Sequence, residues 1–321
     1  MAHPLALSMK ICITLATYNG EKYLDEMLES LVQQTRPADV IIAVDDGSKD
    51  STCEILESYK GKLPLEITKF EKNRGHRAAF STALEKAAAM LDDDDLIFLA
   101  DQDDIWFPNK LEVMSQKIGD RSMIFGDAEI INGEDEIVEK SWRKKAGIVE
   151  YMGQQALLTG YTNVTGCMVA FKAGLLRTSL PIPQDVPVHD QWITLCATVE
   201  NDYAPIADKV IYYRIHESNA IGEGNKTWSE KLQTNLQWAK AVRNSSLYEK
   251  LPTESRQFLD KFIQFLDLRF SHAFLSPLWF PWIVKNARHI YPQVTKASQM
   301  IGRILFSFVG VSTAKKFFHK K

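Results

Sequence analysis

The sequence predicts an α/β fold, a mostly parallel sheet with helices on both faces, followed by a helical C-terminal extension. Three observations carry that prediction. Over the first hundred residues, short β-rich segments alternate with helical ones, which implies parallel strands joined by crossover helices. The strand segments are unbroken apolar runs, the pattern of strands buried on both faces. From Thr227 onward the strand signal stops.

The elements follow in order. Lys10–Ala16 is β-rich and ends at the Tyr18-Asn19-Gly20 turn signal. Leu24, Met27, Leu28 and Leu31 recur at helical spacing, and Pro37 closes that segment. Val40–Val44 is a second strand, Asp45-Asp46-Gly47-Ser48 a loop and Ser51–Tyr59 a helix; Leu65–Phe70 is a third strand and His76–Leu91 an alanine-rich helix. Leu96–Ala100 is a fourth strand that runs into Asp101-Gln102-Asp103-Asp104. Beyond Met123 the pattern loosens: Thr165-Gly166 leads into the apolar run Cys167–Phe171, prolines at 181, 183 and 187 mark an irregular loop, and a helix starts near His189-Asp190. Val210–Tyr213 is the last strand. These elements divide the chain into an α/β domain over 9–222 and a helical extension over 223–321.

Composition bounds the class. With 321 residues, 45% hydrophobic and 25% charged, the chain has the proportions of a soluble globular protein. A net charge of −3 gives no reason to expect a nucleic-acid partner. The charge is unevenly spread, however. From Leu268 to Lys321 there are nine basic residues (Arg269, Lys285, Arg288, Lys296, Arg303, Lys315, Lys316, Lys320, Lys321) and no acidic one, leaving 29 basic against 41 acidic side chains before them. Aromatics interleave with those cations. As a surface element the tail would bury aromatics in a bilayer while Lys and Arg meet anionic headgroups, about 1 kcal/mol for each basic residue near the surface; the bland alternative is a helical bundle with its aromatics inside. No apolar run reaches the roughly 20 residues a membrane-spanning helix needs. Cys12, Cys53, Cys167 and Cys196 lack the paired spacing of a zinc site and read as reduced thiols. Met1–Met9 lacks the charge and apolar pattern of a signal peptide, so a cytoplasmic location is expected.

In parallel α/β sheets, ligands bind beyond the carboxyl ends of the strands. The segments there are Thr17-Tyr18-Asn19, Asp45-Asp46-Gly47-Ser48, Asn73-Arg74-Gly75-His76 and Asp101-Gln102-Asp103-Asp104. Neither of the glycine-rich phosphate cradles, GxxxxGK[ST] and GxGxxG, is present. Carboxylates holding Mg²⁺ or Mn²⁺ would take their place, since such ions bind through one or two carboxylates plus substrate phosphates. An acidic cluster alone is often a solvated turn, which is how Asp92–Asp95 reads. Asp104 also suits a helix cap.

Taken in order, Ala16-Thr17-Tyr18-Asn19-Gly20, Val44-Asp45-Asp46-Gly47-Ser48 with Asp50-Ser51-Thr52, Asn73-Arg74-Gly75, Asp101-Gln102-Asp103-Asp104-Ile105-Trp106-Phe107-Pro108-Asn109-Lys110-Leu111 and Thr165-Gly166 resemble family 2 glycosyltransferases of the GT-A fold, over about residues 9 to 220. With His189-Asp190-Gln191-Trp192 and Tyr213-Arg214-Ile215-His216 they look most similar to bacterial rhamnosyltransferases of surface polysaccharide assembly. The resemblance implies an inverting transferase. Its donor would be a nucleotide-diphospho sugar, dTDP-rhamnose or a UDP-hexose, and its acceptor a glycan or lipid-linked glycan at the inner face of the cell membrane. Tyr18 would stack on the base, Asp46 would accept the N3–H of uracil or thymine, and Thr17, Arg74 and Asp101 would complete the donor site. Arg214 could offset diphosphate charge. Asp103 and His216 would hold the metal, Asp190 would be the general base, and Thr165, Gly166 and His189 would face the acceptor. Many family members carry Glu-Asp where this chain has His189-Asp190. A non-catalytic sugar-nucleotide-binding protein on the same scaffold is the rival reading. A nucleotidyltransferase would carry a glycine-rich basic signature near the first strand, and Thr17-Tyr18-Asn19-Gly20-Glu21 lacks one.

Overall fold

The computed structural model describes residues 9–147, 152–200, 203–216 and 226–318. The chain forms two compact units, one of Met1–Ala146, Val164–Ile182 and Val188–Ala220, the other of Gly147–Asn163, Pro183–Pro187 and Ile221–Lys321. The expected boundary at 222 falls outside the described residues, and the helical unit also takes in 147–163 and 183–187.

Among the described residues the first unit has nine strands: β1 (Ile11–Thr17), β2 (Val40–Asp45), β3 (Leu65–Lys69), β4 (Leu96–Ala100), β5 (Ile105–Trp106), β6 (Met123–Ile131), β7 (Ile137–Glu139), β8 (Val169–Lys172) and β9 (Tyr203–Arg214). Their order is β3-β2-β1-β4-β8-β6-β9-β5, with β7 paired to β6. Strands β3, β2, β1 and β4 are mutually parallel, as are β6 and β9; β8 runs antiparallel to both β4 and β6. The sheet is thus mostly parallel, with β8 reversed at its centre and β5 and β7 reversed at its margin.

The parallel half matches its sequence pattern closely. Ile11, Ile13 and Leu15 of β1, Ile41 and Ala43 of β2, and Leu96 and Phe98 of β4 all lie in the core. Helix Leu24–Val32 buries Leu24, Met27, Leu28 and Leu31, the stripe expected from spacing. Helix His76–Met90 covers the sheet with Ala79, Phe80, Ala83, Leu84 and Ala87.

The second half was only partly legible. The expected strand Val210–Tyr213 is the end of a twelve-residue strand, β9. Its start carries Pro205, Asp208 and Lys209, and its partner β6 carries Gly126-Asp127, so neither reads as an apolar run. The pairing slips register on both sides of Asp127, which is buried and accepts from the Ser141 hydroxyl at 2.6 Å and the Arg143 amide at 3.0 Å. The run Cys167–Phe171 begins as a 3₁₀ turn over Gly166–Met168 before β8 starts.

In the helical unit, Thr227 caps helix Trp228–Arg243 in a reciprocal box: Glu230 donates its amide to the Thr227 hydroxyl at 3.3 Å, and the Thr227 amide donates to the Glu230 carboxylate at 2.7 Å. Helix Thr253–Ser271 turns Phe258, Phe262 and Phe265 inward, and Trp279 and Trp282 meet Phe265 at 6.1 and 5.7 Å. Trp238 is buried and its indole donates to the Leu157 carbonyl at 2.9 Å. Part of the tail's aromatic content is therefore bundle core. No helix among the described residues is long and apolar enough to cross a membrane.

Candidate functional site

The register of β1 on β2 sets Thr17 beside Asp45, and the Thr17 hydroxyl donates to Asp45 at 3.0 Å. The other Asp45 oxygen accepts from the Gly47 and Ser48 amides at 3.2 and 2.9 Å, so Asp45 ties its own loop. Gly47 has φ +81°, and a Cβ there would lie 2.9 Å from the Lys72 backbone; only glycine lets the two loops approach. Asp46 sits between them. Its carboxylate accepts from the Arg74 amide at 2.6 Å and the Gly75 amide at 2.8 Å, joining the ends of β2 and β3. The Arg74 guanidinium is exposed and lies 4.5 Å from the Phe70 ring centre. Tyr18 is 44% exposed, and its backbone is clamped by Gln102, which accepts the Tyr18 amide at 2.8 Å and donates to its carbonyl at 3.1 Å.

Past β4 the carboxylates sit in a different setting. Asp103 and His216, far apart in sequence, meet: Asp103 Oδ2 lies 2.9 Å from His216 Nε2, and the His216 ring rests 4.8 Å from that of Tyr23. Both side chains keep some exposure. Asp101 is pushed up to about 7, first by burial and then by the charges of Asp103 and Asp190. Asp104 is buried and accepts from the Arg214 amide at 3.1 Å, so it is not the cap of the following helix. Arg214 is also buried. Its guanidinium donates to the Asp103 carbonyl at 2.8 Å and pairs with Glu26 at 2.8 Å and with Asp135, which makes it a brace of the loop and not a free cation. The acidic turn upstream also differs from a merely solvated one, because Asp95 is buried and accepts from the Lys10 amide at 2.8 Å.

Lys110 stands behind this cluster, inside the run from Asp101 to Leu111 that resembles the family but with no role assigned to it by the sequence. It is fully buried, donates to the Cys167 carbonyl at 2.7 Å and lies 3.2 Å from the Trp106 ring centre. Burial pulls its ammonium down to about 7, against the upward pull of Cys167, Asp104 and Asp101.

Asp190 opens helix His189–Glu200. Its carboxylate accepts from the Gly166 amide at 2.8 Å and the Gln191 amide at 2.6 Å, and burial still holds it up at about 6. A Cβ on Gly166 would fall 3.3 Å from that of Asp190, a tight approach that glycine relieves. Thr165 accepts from the Trp142 indole at 3.2 Å. His189 turns inward. Only 5% exposed, it stacks on Phe80 at 3.9 Å, with His76 edge-on at 5.9 Å. Neither of its ring nitrogens has a hydrogen-bond partner among the described residues. Burial drives its pKa down to about 3, so the ring is neutral.

Two groups could take a metal. Asp101, Asp104 and Cys167 hold possible ligand atoms within 4.8 Å of one another. Asp104 and Cys167 are buried, however, and burial pushes the thiol up, keeping it protonated and a poor match for a hard cation. The Asp103 carboxylate and His216 imidazole are reachable at the strand ends and suit Mn²⁺.

A mostly parallel sheet with nucleotide-type loops, an acidic strand end and a helix-borne carboxylate is the GT-A architecture. The chain belongs to glycosyl transferase family 2, whose model matches residues 12–180. It is 26% identical over 223 residues to an uncharacterized glycosyltransferase of Nostoc sp., 66% of each chain. It is also 26% identical over 224 residues to the dTDP-rhamnosyl transferase RfbG of Shigella flexneri, covering 65% of this chain and 73% of that one. The solved mannosyltransferase of Pyrobaculum calidifontis in complex with GDP-Man and Mn²⁺ shares the fold, with a TM-score of 0.53 at 17% identity over 99% of this chain and 92% of that one. The chain spans under half the length of several other curated relatives.

Proposed function

We propose that the protein is an inverting glycosyltransferase that moves a sugar from a nucleotide-diphospho donor, dTDP-rhamnose first among candidates, to a glycan or lipid-linked glycan at the inner face of the cell membrane. The observation that carries this reading is the meeting of Asp103 with His216 at 2.9 Å past the strand ends, together with Asp190 held by the Gly166 and Gln191 amides at a helix start. The base of the donor stacks on exposed Tyr18. Asp46 accepts its N3–H through lone pairs left after the Arg74 and Gly75 amides. Thr17 orients this wall through Asp45, and Arg74 faces the phosphates. Asp103 and His216 would hold Mg²⁺ or Mn²⁺, which when bound neutralises the diphosphate leaving group.

Asp190 takes the proton from the acceptor hydroxyl as that oxygen attacks the anomeric carbon. Amide donors from Gly166 and Gln191 fix its oxygens, and a pKa near 6 leaves it ionised at neutral pH yet basic enough to accept a proton. The acceptor lies against Thr165-Gly166, with His189 packed behind to hold the start of the helix. The Shigella relative favours dTDP-rhamnose. A relative named for transfer from UDP-Glc, 30% identical over 125 residues, keeps a UDP-hexose as the second donor reading.

Calorimetry with dTDP-rhamnose, UDP-glucose, UDP-galactose and the free nucleotides, with and without Mn²⁺, tests the proposal. Metal-dependent binding of dTDP-rhamnose above the others is expected. Preferred binding of a UDP-hexose would replace the donor, and binding of no nucleotide would remove the transferase reading.

A further inference from the structure

We infer that the last third of the helical unit is a docking surface for an anionic lipid bilayer, which deepens the proposed function by giving residues and lipid charge to its membrane contact. Among the described residues, six of the twelve large apolar side chains left exposed lie between Phe274 and Leu305. Phe274 is 65% exposed, Leu278 88%, Ile301 59% and Leu305 61%. They are organised by helical spacing. Helix Phe280–Ile290 buries Ile283, Ala287 and Ile290, yet turns a second apolar pair, Phe280 and Val284, to solvent one turn apart. Helix Ala297–Phe306 buries none of its residues and exposes Ile301 and Leu305, again one turn apart. A solvated surface helix has no reason to expose apolar side chains in register.

The charge around them selects the occupant. Lys285, Arg288, Lys296, Arg303, Lys315 and Lys316 are exposed, and no Asp or Glu occurs from Leu268 to Lys321. Arg269 is the exception: it is buried and its guanidinium donates to the Phe306 and Val309 carbonyls, so it adds nothing to the surface. Lys320 and Lys321 lie outside the described residues. A second copy of the same face would bring cations against cations. A bilayer with anionic headgroups supplies both complements, headgroups for Lys and Arg and an acyl boundary for Phe, Leu and Ile. Since no described helix is long and apolar enough to cross a membrane, the contact lies along the surface.

Flotation of the full chain with two vesicle preparations tests this, one of phosphatidylcholine alone and one with about a third phosphatidylglycerol. Binding to the anionic vesicles and little to the neutral ones is expected, weakening with added salt. The pair Leu278→Asp and Leu305→Asp should lower vesicle affinity about tenfold or more, as should Lys285→Gln with Arg288→Gln and Arg303→Gln. All these positions are exposed, so thermal melting should not change. Equal binding to both vesicles, binding unaffected by either set, or a dimer in sedimentation velocity that Leu278→Asp dissociates would overturn the inference. Donor binding measured without vesicles reads the transferase proposal separately, because none of these substitutions touches the donor loops.

Discussion

The carboxylates at the two halves of the sheet are the same residue type put to opposite uses. At the end of β2, Asp45 has both oxygens occupied by amide and hydroxyl donors. Asp50 is similar: partial burial acts to raise its pKa, but the Thr52 hydroxyl and the Glu21 and Thr52 amides outweigh it and hold the carboxyl below its usual range. Past β4 the balance reverses. Burial wins at Asp101 and at Asp190, which even two amide bonds leave near 6. A carboxylate saturated with donors is a brace, whereas a buried one short of donors is ready to meet a proton or a cation. Substituting members of each set is the way to break this contrast.

The largest effect is expected at Asp190→Asn. The amide keeps the shape and its one oxygen still accepts from Gly166 while the Gln191 amide loses its acceptor, but it cannot take a proton. Turnover should fall by roughly 10²- to 10⁴-fold while donor affinity by calorimetry stays within about twofold. Wild-type turnover would remove Asp190 from the chemistry. Next comes Asp103→Ala, which removes the carboxylate 2.9 Å from His216 Nε2. Metal affinity should drop at least about tenfold, flattening the Mn²⁺ dependence of donor binding, and an unchanged titration would move the metal to the Asp101 group.

The pH profile gives a smaller effect and needs no substitution. A carboxyl raised to about 6 is protonated below that value and ionised above it, so the base is lost on acidification. The turnover of the wild type should fall about tenfold for each unit below pH 6 and flatten above it. The same shift makes the ionised form costly to the fold, so its contribution to stability is greatest in acid and is lost as pH rises through about 6. A limb near the usual carboxylate value of about 4 would mean that burial does not govern Asp190.

Much of this contrast was hidden from the sequence for physical reasons. The four parallel strands were legible because double burial writes an apolar run, and the loops of the candidate site were legible as the segments that follow them. Burial partners were not. Asp104 looked like a cap but is held by the Arg214 amide, 110 residues away, and Arg214 itself looked like a candidate phosphate cation but spends its guanidinium on Glu26, Asp135 and a carbonyl. Strand β6 was missed because Gly126-Asp127 breaks its run at the point where the register slips. In the tail, periodicity marked amphipathic helices without telling which apolar side is covered: Trp282 meets Phe265, while Phe280, two residues earlier, is exposed.

The sharpest use of the contrast is the mildest substitution, Asp45→Asn, because it makes the same chemical change as Asp190→Asn on the other side of the comparison. Asp45 accepts four donors, the Gly47 and Ser48 amides and the Thr17 and Ser48 hydroxyls. An asparagine has one oxygen to offer and turns an NH₂ toward donors on its other side, leaving buried N–H or O–H groups unmatched. That should cost about 1–3 kcal/mol of stability and lower the melting temperature. Turnover for each folded molecule should change little at saturating donor, because Asp45 is fully buried and its oxygens are taken up by the loop that carries Asp46. The donor KM carries the remaining signal. If the loop loosens, the tie from Asp46 to Arg74 and Gly75 loosens with it and KM rises, whereas a fall in kcat matching that of Asp190→Asn would mean that the two halves of the sheet do not divide bracing from chemistry.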